Sequence, residues 1–296
     1  MDDNNDIDVF TSPVAHVGAL SVRRALPQRG RRTIGAWCFA DHMGPADVDE
    51  TSGLEVGPHP HIGLHTVTWL TDGQALHRDS LGSEQVITAG ELNLMTAGHG
   101  IAHAEEATGH YRGTLQGIQL WIAQDDTSRH GPSAFAHHDD LPRVDVGEGR
   151  LTVLVGDFHN VSSPALAESD LSGAELRLHG RCPLALNPAY EYGVIVLEGL
   201  IQLKGRDLGP GTMGYLRPGH DSVEVTSRSP STVIILGGVP LTTPLFMWWN
   251  FVARSRQEID DAFDSWMSRD DRFAPVSTSL SRVDTSPPWW RTPPST

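Results

Sequence analysis

Short runs of alternating apolar and polar residues, cut by turn residues, recur along this chain. The first clear one is LHTVTWLTDG (64–73), a strand pattern that ends in an Asp-Gly turn. ELNLM (91–95), TLQGIQLWIA (114–123), RLTVLVG (150–156), AELRLHG (174–180), YGVIVLEGLIQLKG (192–205) and STVIILGG (231–238) read the same way. Period-two alternation predicts strands, and regular short strands between Gly and Pro turns predict an all-β sandwich or barrel. One segment has a helical period instead. SRQEIDDAFDSWMSRD (255–270) opens with Ser255 as N-cap and Glu258 as its capping-box partner. Its Ile259, Ala262, Phe263 and Trp266 fall on one face.

The strand pattern also repeats. GELNLMTAGHG (90–100) resembles GTMGYLRPGHD (211–221), in register at an offset of 121 residues. Upstream of each comes a strand and a Gly turn, TVTWLTDG ending at Gly73 and VIVLEG ending at Gly199. The spacing from that Gly to the repeat differs by five residues, which a hairpin loop absorbs. Two similar β-barrels in tandem are the simplest account. The expected division is an N-terminal barrel at 9–140 and a C-terminal one at 141–274, with the helix in the latter. Residues 1–8 are acidic and read as disordered. The tail 275–296 is rich in Pro, Ser and Thr and reads as extended or disordered, with Trp289 and Trp290 either docked or exposed.

The 296 residues are 39% hydrophobic, enough for a sizeable core, and carry 30 Gly and 20 Pro, which suits short strands and turns. The formal net charge of −15 argues against direct contact with nucleic acid phosphates, and is compatible with a basic protein partner. Cys38 and Cys182 lie in different halves and form no CxxC pattern, so two unpaired core thiols are expected. The acidic start MDDNNDIDVF has no signal-peptide pattern, and no run approaches the roughly 20 apolar residues of a membrane span. A cytoplasmic protein off the membrane is the resulting expectation.

Seven of the fifteen histidines fall between His59 and His110. Among them are two local pairs, H-P-H at His59 and His61 and H-A-E at His103 and Glu105. In a strand, residues i and i+2 point to one face, so each pair aims two ligand atoms at one point. Gly-rich turns flank both pairs. Three imidazoles and a carboxylate suit a borderline divalent ion and leave coordination positions open, whereas structural sites are more often thiolate-rich. His65, four residues after His61, falls on the same face by alternation and is expected in the pocket wall. His77 and His99 are candidates for the pocket mouth or for supporting hydrogen bonds, and His137 and His138 for solvent. The second copy of the repeat lacks the cage. In-register counting puts Glu224 and Thr226 at the places of His103 and Glu105, and counting back from Gly199 puts Ala185 and Asn187 at those of His59 and His61. Only His220, matching His99, persists. Neither a nucleophile elbow nor a phosphate-binding Gly loop is present.

With the cage and the repeat identified, the chain resembles the pirin family of bicupins. The resemblance runs through WCFADHMGP, GPHPHIGLHTVTWLTDGQALHRDSLG, LNLMTAGHGIAHAEE and GIQLWIA, and resumes at PLTTPLFMWWNFVARSRQEI. The cupin pattern G(x)5HxH is present from Gly53 to His61. The resemblance implies two tandem jelly-roll-like cupin barrels, a metal-free second barrel, a monomer, and one iron-like metal held by His59, His61, His103 and Glu105. Two positions depart from the family: His65 stands where Glu is usual, and His99 where Arg is common.

The resemblance further implies quercetin 2,3-dioxygenase activity, as in several members, or a metal-dependent regulatory role, as in others. In the first reading a flavonol and O2 are substrates, the ring is cleaved and CO released, and Glu105 takes the proton of the flavonol hydroxyl. Fe(II) is the expected ion, with Ni, Cu, Mn, Co and Zn all allowed by the donor set. In the second reading the chain is a non-catalytic iron-dependent module that binds protein. A purely structural ion fits the open donor set least.

Overall fold

The computed structural model describes residues 7–18, 20–49, 52–165 and 167–291. Strand β1 (Asp8–Thr11) starts it. The first barrel uses β2 (Val14–Val17), β3 (Leu20–Leu26), β4 (Trp37–Val48), β5 (Val56–His61), β6 (Leu64–Asp72) and β7 (Gln74–Asp79). It continues with β8 (Glu84–Thr88), β9 (Leu92–Thr96), β10 (Ile101–Glu106), β11 (Gly113–Ala123) and β12 (Ala134–His138). The second barrel uses β13 (Arg143–Val146), β14 (Gly149–Phe158), β15 (Val161–Ser162), β16 (Leu171–Leu178), β17 (Arg181–Ala185) and β18 (Glu191–Glu198). It is completed by β19 (Ile201–Leu203), β20 (Arg206–Leu208), β21 (Thr212–Leu216), β22 (Ser222–Ser227) and β23 (Ser231–Gly238). A small hairpin, β24 (Phe246–Trp248) with β25 (Phe251–Ala253), leads into helix α1 (Arg256–Ser268).

The two barrels share one plan. The large sheet of the first runs β12-β9-β6-β11-β4-β3-β2, and that of the second runs β1-β21-β18-β23-β16-β14-β13. The small sheets run β5-β10-β7-β8 and β17-β22-β19-β20. The sequence repeat thus falls on equivalent strands, β9 and β21, with their following turns. The five-residue difference sits in the hairpins β7–β8 and β19–β20, the second of which is shorter.

The chain ends cross over. β1 pairs with β21, Asp8 opposite Tyr215, and so closes the edge of the second barrel. Ile7 is buried in that barrel's core. The expected disorder of residues 1–8 is therefore corrected at Ile7 and Asp8; residues 1–6 lie outside the described part. In the other direction, α1 packs on the first barrel. Ile259, Ala262, Phe263 and Trp266 bury against Ile62, Ala102 and Phe251, and Val252 donates its N–H to the Ile62 carbonyl at 3.2 Å. The helix is capped as its sequence predicts, with the Ser255 side chain accepting from the Glu258 N–H.

The tail is extended and seated on the body. Val283 donates to the Pro58 carbonyl at 2.9 Å, the Trp266 indole donates to the Val283 carbonyl at 3.0 Å, and the Trp290 indole donates to Asp260 at 3.0 Å. Trp290 docks, while Trp289 is 68% exposed. Residues 292–296 lie outside the described part.

The large sheets face each other across a shared apolar core that includes Trp37, Trp69 and Leu120 from the first and Leu154, Ile195 and Leu236 from the second. Each tryptophan places its polar edge. Trp37 donates to the carbonyls of Ser172 and Gly237, and Trp69 to Glu175 at 2.7 Å. A Cβ at Gly173 would sit 2.7 Å from the Trp37 ring, so this crossing requires glycine. Cys38 and Cys182 are free and buried. Among the described residues no helix is long and apolar enough to cross a membrane.

Candidate metal centre

β5 and β10 are neighbours in the small sheet of the first barrel, with His59 opposite His103 and His61 opposite Ile101. Alternation turns His59, His61 and His103 into the barrel interior. Their ligand atoms all lie within 4.8 Å of one another. A bulge between the pairings of His103 and Glu105 puts Val56, not Gly57, opposite Glu105.

Hydrogen bonds fix how each imidazole presents itself. His59 Nδ1 lies 2.9 Å from the Gly57 carbonyl, and His61 Nδ1 lies 3.0 Å from the Asn250 carbonyl. A carbonyl only accepts, so both rings carry their proton on Nδ1 and leave Nε2 bare. His103 Nδ1 lies 3.4 Å from His77 Nδ1, and His77 Nε2 lies 3.1 Å from Asp79. The carboxylate accepts from His77 Nε2–H, which leaves His77 Nδ1 as an acceptor, so His103 donates from Nδ1 and its Nε2 is bare too. Asp79 is held in turn by the N–H groups of Leu81 and Ser83. Three lone pairs therefore converge, with His61 Nε2 and His103 Nε2 only 3.1 Å apart. Such a set repels itself unless a cation sits among it, and the anchored second nitrogens are what metal-bound histidines require.

Burial sets the charges. It pushes His59 down to about 4 and His61 and His103 well below the usual imidazole value, with repulsion between the rings adding to it. All three are neutral at physiological pH. Burial also pushes the Glu105 carboxyl up to about 7. Glu105 lines the same cavity but stands outside the 4.8 Å group of the three histidines.

The cavity has a volume of ≈ 490 Å³. Phe39 and Trp121 stack in its wall, ring centroids 4.0 Å apart and planes 14° from parallel, and Trp121 meets His61 edge-on at 5.1 Å. Leu54, Val56 and Met43 make the wall apolar, while Trp249, Asn250 and Val283 bring the C-terminal segment to its rim.

The other histidines fall elsewhere. His65 is buried between the barrels, 2.9 Å from Thr96 and 2.7 Å from Glu168, and lines no part of this cavity. The turn at Ile62–Gly63 carries the chain from the small to the large sheet, so alternation does not run on from His61 to His65. His99 is also absent from the cavity; it borders a separate small one with Arg129, His130 and Arg272. His77 is buried behind His103 and stacks on Phe135 at 4.4 Å. His137 and His138 are half-buried in β12, with His137 on Asn93 at 2.8 Å, rather than free in solvent.

The second barrel needs a correction of one residue. Glu105 stands opposite His77, four residues after Gly73; the residue four after Gly199, Leu203, stands opposite Val225. Val225 and Val223 are thus the counterparts of Glu105 and His103, and Leu184, opposite Val223, is the counterpart of His59. The Leu186 N–H, bonded to the Asp221 carbonyl, extends the match to His61. Glu224 and Thr226 point outward, and neither Ala185 nor Asn187 is a counterpart. Between the equivalent positions Met95 and His103 the first barrel has one residue more than the second has between Leu216 and Val223, and a one-residue slip reverses the face. Leu184, Leu186, Val223 and Val225 all belong to the apolar filling of the second barrel.

The pirin family description matches residues 19–122, and the pirin C-terminal cupin domain matches residues 173–274. A protein of Pseudomonas aeruginosa named "Putative quercetin 2,3-dioxygenase" is 45% identical over 258 residues, 86% of this chain and 82% of that one. The chain belongs to the pirin family. Among solved structures, quercetin 2,3-dioxygenase from Acinetobacter baumannii superimposes with a TM-score of 0.93 at 38% identity, over 99% of this chain and 98% of that one. A bacterial pirin from Escherichia coli in complex with nickel(II) matches with a TM-score of 0.64 at 18% identity, over 79% of this chain and 100% of that one, and speaks for the fold alone. The bicupin architecture is thereby shown. In this pirin, sequence reasoning found the three histidines but not the Asp79 that steadies His77, nor Asn250, whose carbonyl orients His61. The H-x-D spacing of His77 and Asp79 repeats the logic of the two ligand pairs and is the signal that could have found Asp79. Asn250 comes from a distant segment and has no local signal.

Proposed function

We propose that this pirin is a metal-dependent dioxygenase of the quercetin 2,3-dioxygenase type. His59, His61 and His103 would hold one divalent ion, Fe(II) foremost, with Glu105 as the fourth ligand. The observation that carries the reading is the convergence of three bare, neutral Nε2 atoms at the wall of an aromatic-lined cavity. A volume of ≈ 490 Å³ is in the usual range for small-molecule sites, roughly 300–1,000 Å³. The names of the relatives agree with this choice of chemistry.

When bound, the ion supplies Lewis acidity toward a flavonol hydroxyl and a redox centre for O2. The protein's own groups do the rest. Phe39 and Trp121 present a flat face for a planar ring system, and the apolar wall excludes water. Glu105, once loosened from the ion, takes the flavonol hydroxyl proton and keeps it on its carboxyl, whose hold on a proton is strengthened by burial. The flavonol consumes one O2, its central ring opens, and one CO leaves. The test is to quantify bound metal and follow loss of flavonol absorbance in air. Oxygen-dependent loss that disappears in His59→Ala and in His103→Ala supports the reading. No turnover with any of iron, nickel, copper, manganese or cobalt loaded would overturn it.

One observation favours the regulatory alternative. His61 is oriented by Asn250, in the hairpin just before α1, so a change at an ion held by His61 would reach the segment that packs on the first barrel. A basic protein partner would suit the net charge of −15. Partner binding that follows iron redox state, without flavonol turnover, would select this reading.

A further inference from the structure

The wall of the cavity contains a polar group with no part in the cage. Arg24 donates to both oxygens of Asp41, from Nε at 2.8 Å and Nη2 at 2.7 Å. The Asp41 side chain is 2% exposed and that of Arg24 31%. Beside Asp41 across β4 and β11 stands Gln119, whose Oε1 accepts from Thr68 at 2.9 Å. All three residues line the cavity. The Arg24 guanidinium also lies 4.8 Å over Phe39, the ring stacked on Trp121, which in turn abuts His61. A continuous aromatic face therefore joins the polar group to the cage.

The second barrel shows what the fold itself requires at these places. Gln119 pairs with Thr68, five residues before Gly73, and Ile235 pairs with Val194, five before Gly199. Ile235 is therefore the counterpart of Gln119. Ala174, opposite Ile235, is the counterpart of Asp41, and Val153, opposite Ala174, that of Arg24. Val153, Ala174 and Ile235 all sit in the apolar core. The same architecture closes with three apolar residues where the first barrel has Arg, Asp and Gln. A buried ion pair carries a desolvation cost that an apolar set avoids. Its presence only in the barrel with the cavity points to a ligand.

We propose that Arg24, Asp41 and Gln119 form a specificity set, which holds the hydroxyl-bearing outer ring of a planar polyphenol while the cage takes its other end. This rests on the flavonol reading above and adds which flavonols are taken. The ion pair is neutral as a unit, so it selects neutral phenolic hydroxyls rather than carboxylates. Asp41 accepts from a phenolic O–H through its remaining lone pairs. Gln119 Nε2, whose partner oxygen is already engaged by Thr68, donates to a phenolic oxygen. Arg24 holds Asp41 in place with two hydrogen bonds and opposes the burial that raises the Asp41 pKa. These are positioning residues, not catalytic ones.

The test measures binding to the metal-loaded protein under nitrogen, read by quenching of tryptophan fluorescence. The probes are quercetin, hydroxylated on both outer rings, and 3-hydroxyflavone, which lacks those hydroxyls. Wild type should bind quercetin more tightly. The double variant Arg24→Val with Asp41→Ala copies the second barrel and should lose about tenfold or more in quercetin affinity, with 3-hydroxyflavone unchanged. Gln119→Leu keeps the ion pair, guards against a misfolded double variant, and should show a smaller loss confined to quercetin. Equal loss for both probes, or none for either, overturns the specificity set and leaves the dioxygenase reading standing. A wild type that binds neither probe overturns the flavonol reading and this inference with it.

Discussion

At the scale of single residues, the behaviour of the site turns on where protons sit. Burial keeps the three cage histidines neutral at physiological pH, so they shed no proton when an ion binds. Glu105 is protonated below about 7 in the metal-free protein, and an ion that takes it as a ligand must displace that proton. Metal affinity should therefore rise with pH up to about 7, by as much as about tenfold per unit, and then level off. Competition with a chelator across this range measures it. In Glu105→Gln the affinity should be weaker and flat, and an unchanged slope in that variant would remove Glu105 from the ligand set. His77→Phe keeps the stacking on Phe135 but removes the acceptor for His103 Nδ1, and should weaken metal binding by about 10–100-fold. The histidine pairs were legible because a period of two is visible in any strand. The polar wall at Arg24, Asp41 and Gln119 was not, because which face a strand turns inward depends on its partners.

At the scale of elements, the repeat was readable and its register was not. Gly90 and Gly211 align the strands β9 and β21 correctly, but a single extra residue between Met95 and His103 reverses which side chains enter the barrel. Counting along the sequence therefore chose Glu224 and Thr226, while pairing across the sheet chooses Val223 and Val225. The same limit misplaced His65, because the change of sheet after His61 leaves no mark that alternation can detect. The tail shows a different kind of limit. Its composition lacks core residues, yet backbone contacts and Trp290 are enough to seat it. It passes close over Gly57, where a Cβ would meet the Ser281 carbonyl oxygen at 1.9 Å. Gly57→Ala should release the segment around Ser281, making it cleavable by protease at concentrations that spare the wild type. Because the Gly57 carbonyl also accepts from His59, metal affinity should fall in the same variant. A tail that stays protected would show that its seat lies elsewhere.

At the scale of the whole molecule, the chain carries its own control. Two barrels of one topology stand face to face, one filled with side chains and one hollowed around a histidine cage. The filled barrel supplies one side of the shared core and closes its own edge with the N-terminal strand, while the C-terminal segment returns to wall the hollow one. Metal should therefore bind once per chain, and elemental analysis of the loaded protein should give one ion that is lost in His61→Ala with the fold retained by circular dichroism. Two ions per chain would contradict the assignment of the second barrel as metal-free. The central claim is that the hollow barrel cleaves a flavonol with O2. Headspace CO, measured as metal-loaded protein consumes quercetin, tests it most directly. The expected result is about one CO per quercetin lost in air, and none under nitrogen or in His103→Ala. Quercetin loss in air without CO, or at the same rate in His103→Ala, would contradict it.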